Sequence, residues 1–467
     1  MKDRKRRIEQ FLFYDARGIE EHLMKMALKG WQIHKINNFY WEYRKITPQR
    51  LNYTVTYFSE ASDFNPYPTR NQQTFHDYCR SAGWELVAEW AQMQIFCTRE
   101  EDPIPIETEE SVTLQAIHKA MKKNFLPGHL ALLFLSLFQI IMQLYMIFKN
   151  PVEQLTNNST LSLLGIWSII LIHIIIVLTG YGIWYRRSRK AIAMGISYIK
   201  NGGYQRVSLL IWAFVIATFL LGFLSMIGQH AGWAGIVGIV YVTLLLAIIF
   251  MVKNRLKRAR VSKGINITVT IVTTMVLSIV LTGVMFFGII SGVRSGWFGR
   301  KDAEGYTAKT PYGITMTWKI YKDNIPLKVE DLQDVEYEHY SYELTKSESL
   351  VLARSSARQR SFPDGSRVPE LSYEIIHVKV PFLYQLCLKE YLDRADRDWE
   401  QMEAYARHFK RTEQVTWQAD EVYQVYDGEE ARGTYLICWG SQFVYLSLDE
   451  VPTKQQIAVI TEKLRYR

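Results

Sequence analysis

The chain has 467 residues and a formal net charge of +9, enough for two or three folded units. Its hydrophobic fraction of 48% is ordinary for a soluble protein, yet charge crowds both ends while the middle carries long apolar runs. The basic excess lies largely in short loops beside those runs, where positive charge sets membrane orientation, so no nucleic-acid partner is expected.

The basic start Met1-Lys-Asp-Arg-Lys-Arg-Arg7 leads into no apolar stretch, so no cleavable signal peptide is expected and the first membrane helix acts as the insertion signal. Residues 1–101 read as an α+β domain. Phe11–Tyr14 reads as a short strand, and Ile19–Leu28 as a helix with Leu23, Met24 and Ala27 on one face. Gly30 ends that helix, and Trp31–Ile36 and Phe39–Arg44 follow as strands. The order then recurs: a strand at Tyr53–Phe58, a helix at Thr74–Ala82 stopped by Gly83, and strands at Trp84–Trp90 and Gln94–Thr98. Gly30-Trp31 thus matches Gly83-Trp84, each glycine supplying the left-handed turn that ends a helix. Two such strand–helix–strand–strand units can set their sheets edge to edge about a pseudo-two-fold axis. That element order resembles the GyrI-like type of domain, some of which cup small ligands in an aromatic groove. By that likeness Trp31, Trp41, Trp84 and Trp90 are candidate groove residues, the plainer alternative being that they are core.

The early Phe-Tyr-Asp (Phe13–Asp15), the helix end Met26–Trp31, Tyr53–Phe58, Ala82–Val87 and Ile95-Phe96 together resemble domain-of-unknown-function family 2812. The resemblance covers about the first hundred residues. It implies a Gram-positive bacterial source, a cytoplasmic domain ahead of several membrane spans, and a gene setting beside PadR-like regulators that suits envelope stress. It carries no established activity and no catalytic residues.

Residues 102–125 form an acidic, proline-containing linker and a juxtamembrane helix. Val112–Asn124 has Leu114, Ile117 and Met121 on one side, and either lies at the inner membrane surface or extends the first span.

Residues 126–292 hold five segments long and apolar enough to span a bilayer: Leu126–Phe148, Leu161–Tyr185, Val207–Ile227, Ala231–Val252 and Ile265–Ile290. Lysines precede the first; arginines and lysines fill the second-to-third loop (Arg186–Arg206) and the fourth-to-fifth loop (Lys253–Lys263), while the alternate loops are nearly bare. Positive charge therefore places the N-terminus in the cytoplasm and the C-terminus outside. Arg294, Arg300 and Lys301 oppose this weakly.

Residues 300–467 read as an extracytoplasmic α+β domain. Strands are expected at Ile314–Ile320 and Leu371–Val380, and helices at Leu383–Ala395 and Thr453–Arg465. A hairpin of Thr434–Trp439 and Phe443–Leu448 turns at Gly440-Ser441. Arg354–Ser361 reads as a solvated loop, with Arg354, Arg358 and Arg360 a candidate anion contact. Cys387 and Cys438 are either a disulfide or two separate buried thiols.

No catalytic or cofactor motif is present, so no enzyme, metal or cofactor is expected. His173 sits mid-span, and Gln139 and Gln143 share one face of the first span. These three are candidate intramembrane polar contacts, acting as helix–helix hydrogen bonds or, alternatively, lining a pore. Few charges in the spans argue against ion-coupled transport.

The sequence thus describes a multi-pass α-helical membrane protein with two α+β soluble domains, the N-terminal one a duplicated strand–helix–strand–strand unit. The expected function is a non-enzymatic membrane sensor or regulator. The alternatives are an accessory subunit of a transporter or envelope-assembly complex, and a small-molecule binding module. The bilayer and a protein partner or homo-oligomer are the expected partners.

Overall fold

A computed structural model describes residues 3–9, 11–37, 40–197, 209–220, 232–295, 303–310, 312–362, 368–397 and 407–465. The chain forms two compact units. The first comprises Met1–Ile140, Gly165–Leu221 and Trp233–Phe286; the second, in its described part, comes mainly from Ile141–Leu164 and Phe287–Arg467.

The first unit begins with β1 (Arg4–Arg7), α1 (Ala16–Leu28), β2 (Trp31–Ile36) and β3 (Trp41–Lys45), then repeats the order as β4 (Asn52–Tyr57), α2 (Arg70–Ser81), β5 (Glu85–Trp90) and β6 (Met93–Thr98). Two antiparallel three-stranded sheets result, ordered β1-β3-β2 and β4-β6-β5, with β2 and β5 side by side. Each helix opens on a side-chain cap: Asp15 accepts from Gly18 N at 3.2 Å, and Thr69 from Gln72 N at 3.2 Å. Both close on a glycine with positive φ, +80° at Gly30 and +84° at Gly83. On α1 the residues Ile19, Leu23, Met26 and Ala27 form the buried stripe that holds the helix on the sheets.

The first strand is Arg4–Arg7, paired with Trp41–Arg44, and not Phe11–Tyr14. A strand would send Phe13 to the face opposite Leu12 and Tyr14, yet all three are buried together. Asp15 N donates to Leu12 O at 2.9 Å, turning the chain into α1.

Among the described residues, seven helices follow in chain order. They are α3 (Glu110–Ala120), α4 (Leu126–Lys149), α5 (Pro151–Leu155), α6 (Asn158–Ala193), α7 (Leu209–Leu220), α8 (Gly232–Arg258) and α9 (Lys263–Arg294). A π-helical turn, Met121–Phe125, joins α3 to α4 without a break, so Val112–Asn124 extends the first long helix. Leu114, Ile117 and Met121 are buried in the core of the N-terminal domain. Among the described residues three helices are long and apolar enough to cross a membrane: Glu110–Lys149, Asn158–Ala193 and Lys263–Gly292. These hold the first, second and fifth expected spans. The third, Val207–Ile227, lies partly outside the described residues, which retain α7 of it; the fourth lies within α8 except for Ala231, also outside them.

In the second unit β7 (Glu304–Lys309) and β8 (Thr315–Ile320) form a hairpin. A seven-stranded antiparallel sheet follows, made of β9 (Ser341–Glu348), β10 (Leu352–Arg360), β11 (Leu371–Val378), β12 (Arg407–Arg411), β13 (Glu421–Asp427), β14 (Glu430–Trp439) and β15 (Gln442–Leu448). Its order is β12-β13-β14-β15-β11-β10-β9. Strand β14 shows how both faces are used. Tyr435, Ile437 and Trp439 face a core shared with Ile457, Ile460 and Leu464 of α11 (Lys454–Leu464). Leu436 and Cys438 face a second core with Cys387, Leu388 and Tyr391 of α10 (Tyr384–Arg397). Cys387 and Cys438 are free thiols in that second core.

Arg354–Ser361 is not a solvated loop: most of it is β10, paired on both sides. Its arginines are compatible with a sheet because cross-strand carboxylates meet them, Glu374 on Arg354 at 2.8 Å and Glu343 on Arg360 at 3.6 Å. The expected turn Ser361–Arg367 lies mostly outside the described residues.

The same unit captures the turn after α4. Val152 and Leu155 of α5 are buried in the α10 core. Val152 N donates to Glu390 Oε2 at 2.8 Å, and Ser349 Oγ donates to Leu155 O at 2.6 Å.

Candidate functional site

Two features of the first unit stand out. One is an aromatic junction that makes the N-terminal domain and the long helices one core. The ring of Tyr14 lies 5.2 Å from that of Tyr181 and 4.7 Å from that of Trp184, both on α6. On α3, His118 stacks on Tyr185 at 4.2 Å and its Nδ1 lies 2.5 Å from Tyr181 Oη. Phe13 stacks on Phe125, in the π-helical turn, at 6.3 Å. A π-helical turn strains its helix and recurs at functional positions; here it lies within this aromatic packing. Arg17 of α1 adds an ion pair to Glu110 of α3 at 2.8 Å.

Two half-buried carboxylates brace the domain beside the junction. Glu20 on α1 accepts from Val55 N on β4 at 2.8 Å, tying the first repeat to the second. Burial, only partly offset by that hydrogen bond, pushes its carboxyl up to about 7. Burial also acts to raise Glu9, but His22, Arg7 and Tyr43 outweigh it and hold Glu9 below the usual carboxylate range. Arg7 and His22 lie 3.1 and 3.2 Å from its Oε1.

The other feature is a cleft of about 950 Å³. One wall comes from the domain: Lys35, Tyr40, Gln72, Trp90 and the loop 61–68. The other is the end of α8 and the turn after it, with Phe250, Lys253, Lys257, Arg258 and Arg260. Specific contacts hold these walls together. Lys253 Nζ lies 3.6 Å from Asp63 Oδ2 and over the ring of Phe64 at 5.6 Å. Arg260, at φ +63°, places its guanidinium 5.3 Å from the Tyr67 ring, and Asn266 Nδ2 donates to Phe64 O at 3.4 Å.

The four tryptophans do not line one groove. Trp31, Trp41 and Trp90 pack on the main core, while Trp84 belongs to a second cluster with Cys79 and Phe96. Trp41 stacks on Phe11 at 5.4 Å, Trp84 Nε1 donates to Ile104 O at 2.8 Å, and Lys5 lies over Trp31 at 5.3 Å. Of the four, Trp90 alone borders the cleft. Neither Gln139 nor Gln143 takes a side-chain hydrogen bond to a described residue, and Gln143 Oε1 is buried. The His173 ring lies 6.4 Å from that of Trp212 on α7. No group of His, Cys, Asp and Glu able to hold a metal occurs among the described residues. The cleft was missed from sequence because Lys253–Arg260 reads as a topogenic charge run; nothing local ties it to residues 61–68.

A mixed helix-and-strand domain continuous with long apolar helices is the class these features define. Residues 15–127 match the family described as "Protein of unknown function (DUF2812)". The matched segment includes α3 and the π-helical turn, which the structure places in the same core. Neither a curated protein nor a solved structure matches the chain.

Proposed function

We propose that the chain is a non-enzymatic, multi-pass membrane sensor or regulator of the envelope-stress kind. Its C-terminal unit is extracytoplasmic and acts through the spans on the cytoplasmic N-terminal domain. The observation that carries this reading is how each unit takes up its loops. The turn between the first two long helices, through Val152 and Leu155, is buried in the C-terminal unit. The α8–α9 turn, through Asn266 and Arg260, and the end of α6, through Trp184, are held by the N-terminal domain. Among the described residues, the turn after the first long helix therefore packs in one unit, and the end of the second and the α8–α9 turn in the other, a division that supports a chain crossing a bilayer repeatedly. The basic loops fall with the N-terminal domain, in keeping with positive charge on the cytoplasmic side. Exposed apolar side chains on the long helices, such as Phe134 and Ile279, suit hydrocarbon.

One continuous helix, Glu110–Lys149, gives Ile117 and Met121 to the core of one unit and Ile147 to the core of the other, which supplies a route for coupling. The test is the transcriptional response of cells to envelope stress, with the full chain, a chain lacking residues 300–467, and Tyr14→Ala. Loss of the response in both variants is expected. A response that survives both overturns the proposal.

A further inference from the structure

We infer that the cleft beside the α8–α9 turn binds a phosphate-bearing anion. Five cations line it, Lys35, Lys253, Lys257, Arg258 and Arg260, against two carboxylates, Asp63 and Glu89. Asp63 is engaged with Lys253, and no acidic partner among the described residues meets Lys35, Lys257 or Arg258. Solvated basic loops are common at a membrane surface, so charge alone would not mark a site. Gln72 distinguishes this one. It is 3% exposed and borders the cleft, yet its amide makes no hydrogen bond to a described residue. Its amide N–H groups, on the cleft wall, would donate to a phosphate oxygen. Lysine and arginine together supply point charge and a planar fork for the remaining oxygens. The volume of about 950 Å³ accommodates a lipid headgroup or a nucleotide-sized solute. An anionic phospholipid and a soluble phosphate share this chemistry. The inference does not depend on the sensor reading.

The experiment uses the full chain in detergent. Native mass spectrometry counts retained phosphatidylglycerol against phosphatidylcholine, and thermal unfolding is followed with added pyrophosphate. Variants are K257A/R258A and Gln72→Leu; R186A/R187A, a basic pair on α6 outside the cleft, is the control. Loss of a charge-assisted contact weakens binding about tenfold. That loss is expected in both cleft variants and not in the control. Retained phosphatidylglycerol that pyrophosphate does not displace identifies a lipid headgroup; stabilisation by pyrophosphate, or displacement of the lipid by it, identifies a soluble phosphate. No preference for either probe, or equal weakening in R186A/R187A, overturns the inference.

Discussion

The ring of Tyr14 packs 4.7 Å from that of Trp184, so a residue just ahead of the first helix is built into the end of a helix far along the chain. Tyr14 is 1% exposed. Replacing a buried aromatic by alanine removes apolar contact and leaves a cavity, at about 3–5 kcal/mol. Tyr14→Ala should therefore lower the unfolding temperature of the N-terminal domain sharply, while Tyr14→Phe costs only about 1 kcal/mol. Thermal unfolding in detergent checks this, and equal behaviour of the two variants would show that the packing does not matter.

Glu20 makes the domain sensitive to pH. Because its carboxyl is raised from 4.5 to about 7 in the fold, folding favours the protonated form. That contribution is complete below pH 4.5 and is lost as pH rises through about 7. The loss is on the order of 3 kcal/mol. Glu20→Gln keeps an acceptor for Val55 N and carries no charge. The difference in stability between the two proteins, followed by tryptophan fluorescence in denaturant, should grow in favour of the variant across that window. A difference that stays constant with pH would refute the assignment.

Gly30 and Gly83 are equivalent in sequence but not in cost. Both have positive φ, which penalises any L side chain by about 1–2 kcal/mol. A Cβ on Gly30 would also sit 2.9 Å from the Ile46 carbonyl oxygen, whereas on Gly83 it meets the movable Glu100 side chain at 2.8 Å. Gly30→Ala should therefore be the more destabilising of the two, by thermal unfolding. The reverse order would mean that the backbone near Ile46 yields easily.

Glu390 holds the α4–α6 turn on the C-terminal unit through Val152 N at 2.8 Å. Glu390→Ala leaves that N–H buried and unpaired, at about 1–3 kcal/mol. Amide exchange over residues 150–157 should quicken, with none of that change in the N-terminal domain. Unaltered exchange there would show that apolar contact alone fixes the turn.

The repeat was legible because glycine at a helix end and tryptophan at a strand start are local signals, and both recur at Gly30-Trp31 and Gly83-Trp84. Phe11–Tyr14 misled because its aromatic run reads as a strand; its partners, Phe125, Tyr181 and Trp184, lie too far along the chain for any local pattern to show. Arg354–Ser361 misled for a related reason: its polarity is compatible with a strand only because Glu343 and Glu374 stand on the neighbouring strands. The pseudo-symmetric sheet pair spreads Trp31, Trp41, Trp84 and Trp90 over two cores, and of these four only Trp90 reaches the cleft, a distribution that no local pattern shows.

The central claim is that the two units lie on opposite sides of a membrane. Single reporter cysteines at Arg187 and Glu429, treated in intact cells with an impermeant thiol reagent, test it most directly; the native cysteines Cys79, Cys97, Cys387 and Cys438 are all buried. The account predicts that Glu429→Cys is labelled at once and Arg187→Cys only after the membrane is permeabilised. Protection of both until permeabilisation would place both units in the cytoplasm and contradict it.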